Sequence, residues 1–178
     1  MTMINDDKIK KYISSVAIND KENTQIEIDK FKERVNSYPV RCFFNPDIEI
    51  NDFDDLEEIK NAISKMSDVN EALSSSHANL LLLVCAYGTN PEVIKYIVEN
   101  GGAVNSVDVA NFTPIMNMIC NETMKIDVKC DLIKYLIEKG ANINHLNIQR
   151  ETALNIAIQM LQIKVANILM DAGAFLYE

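Results

Sequence analysis

Ile133-Lys134-Tyr135-Leu136-Ile137-Glu138-Lys139-Gly140, followed by Ala141-Asn142-Ile143-Asn144, is the stretch that decides how this chain folds. Nearly the same words stand earlier, as Ile94-Lys95-Tyr96-Ile97-Val98-Glu99-Asn100-Gly101 and then Gly102-Ala103-Val104-Asn105. They return later as Ala166-Asn167-Ile168-Leu169-Met170-Asp171-Ala172-Gly173 and then Ala174-Phe175-Leu176-Tyr177. The closing positions Asn105, Asn144 and Tyr177 are 39 and 33 residues apart. Self-similarity at that period signals a stacked array rather than one closed globular core. In such an array each unit draws most of its stability from its neighbours.

Outward from these runs, each unit resolves into two helices. Leu80 to Tyr87 is an apolar first helix, stopped by Gly88 in an expected left-handed C-cap. Pro91 suits the first turn of the next helix, where no amide donor is needed. Thr113-Pro114 and Thr152 read as capped helix starts. The third unit is longer, with extra residues near Asn121 to Lys129. A degenerate first unit begins near Tyr38. Its first helix is Tyr38-Pro39-Val40-Arg41-Cys42-Phe43-Phe44, its acidic tract is a long loop, and Leu56, Ile59, Ala62, Ile63 and Met66 form its second helix. Asp68-Val69-Asn70 closes that unit, 35 residues before Asn105. The expected boundaries are 38–73, 74–106, 107–145 and 146–178. Residues 1–37 are not repetitive; helices over about 5–18 and 23–37 would cap the array. The last unit carries Asn155, Gln159 and Gln162 as a polar outer face in place of a cap.

Helix, turn, helix, Gly-Ala-x-x-Asn, then a short extended loop into Thr-Pro: this pattern resembles the ankyrin repeat, a unit of about 33 residues. The openings are Thr113-Pro114-Ile115-Met116, Thr152-Ala153-Leu154-Asn155 and Asn79-Leu80-Leu81-Leu82. The resemblance covers 77–176 best. It implies an all-α solenoid of helix-turn-helix units. Leu82, Met116 and Asn155 stand where the family places a histidine that links neighbouring repeats, and Leu161 stands where it places a glycine between the helices.

Composition bounds the function. The chain has 178 residues, is 48% hydrophobic and carries a net charge of −9. That hydrophobic content supports a core, and no apolar run approaches the roughly 20 residues that span a bilayer. No basic-then-apolar leader opens the sequence, so a reducing, cytoplasmic location is expected, a host cytoplasm included. Nucleic-acid binders carry a basic stripe, and none is visible; an anionic membrane surface is disfavoured on the same ground. An acidic chain suits a basic protein partner. The densest tract holds Asp47, Glu49, Asp52, Asp54, Asp55, Glu57 and Glu58 without a Lys or Arg.

Little in the sequence carries chemistry. Cys42, Cys85, Cys120 and Cys130 lack the Cys-x-x-Cys spacing of a zinc site, and buried reduced thiols are expected. A bridge between Cys120 and Cys130 across the insertion is the alternative. His77 and His145 sit near loops and are too few for a metal site. Met116, Met118, Met124, Met160 and Met170 are read as core packing. No glycine-rich phosphate loop occurs. No catalysis, metal or cofactor is expected.

The resemblance implies contact with another protein through loop tips and the inner face of the first helices. By position these are Ser75, Ser76 and Ala78; Val109, Ala110 and Phe112; and Ile148, Gln149 and Glu151. Phe112, Val109 and Ile148 stand out as apolar residues at the tips, to be covered either by a partner or by packing between adjacent loops. The expected function is a non-catalytic interaction module, monomeric when free. The alternative is an acidic inhibitor or immunity protein that blocks a basic toxin or enzyme with the Asp47–Glu58 tract. A third reading is an adaptor or accessory subunit using the 5–37 helices. Small proteins of this family resemble inhibitors of kinases or Rel-type factors, and host-directed proteins of microbes. The abundance of Asn, Ile and Lys suits an AT-rich genome.

Overall fold

The computed structural model describes residue 48 and residues 50–74 and 76–177. The expected cap at 1–37, the Tyr38–Phe44 helix, Cys42, Asp47, Glu49 and Ser75 lie outside the described residues. Among the described residues there are seven helices and no strand. In chain order they are α1 Leu56–Lys65, α2 Leu80–Tyr87, α3 Pro91–Glu99, α4 Pro114–Cys120, α5 Ile126–Glu138, α6 Ala153–Gln159 and α7 Ile163–Asp171. The short helices α2, α4 and α6 lie side by side in one layer. In the other layer α1 packs on α3 and α5 on α7. Each hairpin pair, α2–α3, α4–α5 and α6–α7, joins the two layers.

Local chemistry starts α2, α3, α4 and α6 where the sequence suggests. Asn79, Thr113 and Thr152 accept from the backbone N–H groups of Leu82, Met116 and Asn155, filling donors that the first helical turn leaves open. Thr152 and Asn155 complete a reciprocal capping box. Pro91 and Pro114 occupy first-turn positions. α2 is apolar all round, and Leu80 to Cys85 are all buried, which fits a helix flanked on several sides. Met116, Met118 and Met124 are buried, and Met160 and Met170 pack on the same core. A fully buried Leu or Met side chain contributes about 1.5–3 kcal/mol relative to exposure.

The helices α3, α5 and α7 end alike. Gly101, Gly140 and Gly173 take φ of +96°, +88° and +91°. The following amides, of Gly102, Ala141 and Ala174, reach back to the carbonyls of Ile97, Leu136 and Leu169. This closure satisfies helix-end carbonyls and needs a residue without Cβ strain at the reversal.

Gly88 corrects the sequence reading. Its φ is −81° and ψ 162°, so it is extended rather than left-handed. What it supplies is space: a Cβ there would lie 2.9 Å from the Val84 carbonyl oxygen and 3.2 Å from Asp54 Oδ1. At Leu161 the inter-helix turn does go left-handed, at φ 55°.

Candidate functional site

Three loops precede the inner helices and share one construction. Each is a turn closed from its fourth residue to its first: His77 N–H to the Ser74 carbonyl (3.0 Å), Asn111 to Asp108 (2.9 Å) and Arg150 to Asn147 (3.0 Å). The first residue also grips the turn with its side chain. Ser74 Oγ accepts from Ala78 N–H, Asp108 Oδ1 from Ala110 and Phe112, and Asn147 Oδ1 from Glu151. The fourth residue is left-handed each time, with φ of 56° at His77, 58° at Asn111 and 65° at Arg150. Short polar first positions therefore fold the tips, as expected of side chains that bond to nearby backbone.

This geometry sorts the expected contact residues. Val109 and Ile148 occupy the second position of their turns and are 59% and 63% exposed. Gln149 is exposed beside Ile148, and Ser76 and Ala110 are half-buried at the third position of theirs. The fifth position turns inward. Ala78 is 6% exposed. Phe112 is half-buried against the core, not at an exposed tip. Glu151 is held by Asn147 Nδ2 (2.8 Å) and Gln159 Nε2 (2.7 Å). The chain reverses after the left-handed residue, so the next side chain faces the body of the protein. Sequence reading placed His77 at its loop but missed the equivalent exposed fourth residues Asn111 and Arg150. Their signal was an Asp or Asn three residues earlier. Arg150 bonds to Tyr177 Oη and lies 4.8 Å from that ring's centre.

The tips are joined to one another. Val109 N–H donates to the Ser76 carbonyl (2.9 Å), and Ile148 N–H donates to the Ala110 carbonyl (3.1 Å). A second seam runs along the closing asparagines. Asn70, Asn105 and Asn144 each donate Nδ2 to the Gly101, Gly140 and Gly173 carbonyls. Each Oδ1 accepts in turn from the backbone N–H of Ala103, Asn142 and Phe175. One side chain thus replaces a backbone pair between consecutive repeats.

The acidic tract is largely used inside the molecule. It is not one long loop: α1 starts at Leu56, with Asp55 as its N-cap and Glu57 and Glu58 in its first turn. Asp54 accepts from the Thr89 N–H and hydroxyl and from Asn90 N–H (2.7 Å) in the next repeat. Against the desolvation of burial, these bonds hold its carboxyl below the usual range. Glu58 accepts from Asn51 and Asp52 N–H groups, which lower it as well. Asp52 Oδ1 accepts from Asp54 N–H, and Glu57 pairs with Lys60 at 2.7 Å.

Gln162 departs from the sequence reading in the same way. It lies beyond α6, at the start of α7, and faces the preceding repeat rather than forming an outer polar face. Its Nε2 donates to the Ile119 carbonyl (2.8 Å). Among the described residues, no group of three or more His, Cys, Asp or Glu is placed to hold a metal. Cys85, Cys120 and Cys130 are free thiols; burial pushes Cys85 and Cys130 up, and Cys120 up to about 11. No described helix is long and apolar enough to cross a membrane.

A family model of ankyrin repeats in three copies matches residues 54–177. This chain belongs to the ankyrin-repeat family. The all-helical architecture of the described residues is the solenoid of that family, and ankyrin repeats are generally protein–protein interaction modules, typically without catalysis. No curated protein matches the chain.

Proposed function

We propose that this ankyrin-repeat chain is a non-catalytic module that binds another protein through its loop tips and the adjoining inner helices. The observation that carries this reading is the ridge of Val109 and Ile148, two apolar residues at equivalent places on hydrogen-bonded neighbouring tips. Exposed apolar side chains in register offer a partner area that water solvates poorly. Charge is sparse there: Asp108 spends its carboxylate on its own turn, and Arg150 is the exposed cation. Binding through the ridge should therefore depend little on salt.

The acidic-inhibitor alternative draws no support from the tract's geometry, because Asp54, Asp55 and Glu58 are engaged in intramolecular bonds. Affinity capture with tagged chain, compared across wild type, V109D/I148D and D52N/E57Q, separates the two. Loss of a captured protein with V109D/I148D alone supports the ridge. Loss with D52N/E57Q alone, together with loss at moderate salt, supports the tract and sinks the ridge.

A further inference from the structure

Lys129 is an unusual residue for a solenoid helix. It lies on α5 and is 2% exposed, and its Nζ donates to the carbonyls of Ile119 (3.0 Å) and Asn121 (2.9 Å) and to Gln162 Oε1 (3.3 Å). The two carbonyls belong to the C-terminal end of α4, from which residues 121–125 lead to α5. Asn121 is tied in the other direction, donating Nδ2 to the Gly88 carbonyl (2.7 Å) of the preceding repeat. The cover over Lys129 on the far side is the α6–α7 turn, through Gln162.

We propose that the α6–α7 repeat is a separately opening lid over Lys129, latched by Gln162. Repeat arrays open in units, because each unit touches only its neighbours. Among the described residues α6 packs on α4 and α7 on α5, so the lid has one neighbouring repeat to leave. Closing it strips water from a cation, and burial pushes the Lys129 ammonium down to about 8. Cys120, Cys130 and Glu122 are the titratable groups that face it. Asp127 and Lys164, which face Cys130 from α5 and α7, are paired with each other at 2.8 Å. The open form holds the proton up to the ordinary value of 10.5, so closure strengthens as pH rises from about 8 towards 10.5. Opening takes Ile148 out of line with Val109. If the ridge reading above holds, the lid regulates partner binding.

Cys130 reports the lid without any partner. It is 6% exposed and faces Lys164 of α7, whereas Cys85 is enclosed within α2. Alkylation by iodoacetamide, resolved by residue with mass spectrometry and corrected for thiolate content, measures opening at each thiol. Cys130 should react at least about tenfold faster than Cys85. Q162A should raise the Cys130 rate several-fold and leave Cys85 unchanged. Raising the pH from 7 to 9 should slow Cys130 opening, and K129M should abolish that dependence. Equal corrected rates at Cys85 and Cys130 would overturn the proposal, as would a Q162A variant that labels like wild type.

Discussion

The backbone N–H of Ile148 donates to the carbonyl of Ala110 at 3.1 Å, so the two most exposed apolar side chains of the loops sit on tips that are bonded in series. The spacing of Val109 and Ile148 is thereby set by backbone, not by side-chain packing. Truncating either one should leave the scaffold intact. We expect V109A and I148A each to change stability by less than about 0.5 kcal/mol, as surface substitutions do. Circular dichroism and urea unfolding check this. A cooperative loss of more than about 2 kcal/mol would show that these residues pack inward.

Asp54, just before α1, ties the start of that helix to the turn between α2 and α3. D54A leaves the Thr89 and Asn90 amides without their acceptor and should cost about 1–3 kcal/mol in urea unfolding. Its carboxyl is held below the ordinary 3.8, so its stabilisation is full above that value and fades as pH falls through the lowered one. The acid limb of the stability curve should therefore be shallower in D54N than in wild type.

The closing runs were legible because their chemistry is local. A glycine that must reverse the chain, a Thr-Pro start and an apolar stripe each leave a signature within a few residues. The tips were legible in part. Val109 and Ile148 fall where spacing puts them, but Phe112 turns inward because Asn111 is left-handed, and a sequence does not display φ. Two side-chain bridges between units were not legible at all. Asp54 to Thr89 and Lys129 to Gln162 span 35 and 33 residues, and each member alone reads as an ordinary solvated side chain. Only stacking brings them together.

Gly88 offers a test of space against backbone conformation. G88A requires no left-handed residue, yet its Cβ would press on the Val84 carbonyl at 2.9 Å. We expect a loss of about 1–3 kcal/mol, typical of overpacking. G140A adds a Cβ with nothing within 4 Å but at φ +88°, so it is strained for a different reason. The double variant should be close to additive for sites this independent.

Asn105 tests the closing seam. N105A removes the partner of the Gly140 carbonyl (3.0 Å) and of Asn142 N–H (2.7 Å) at once. The site is exposed, so water replaces part of the loss, and about 1 kcal/mol is expected. Hydrogen exchange should rise first at Asn142, the amide that loses its acceptor. Unchanged protection there would show that the seam is incidental.

Hydrogen exchange of the chain with and without its captured partner tests whether the loop ridge is the partner-binding face. Binding through the ridge should slow exchange in segments 106–112 and 145–151 and leave 51–58 unaffected. Protection confined to 51–58, with the two tips exchanging as in the free chain, would contradict it.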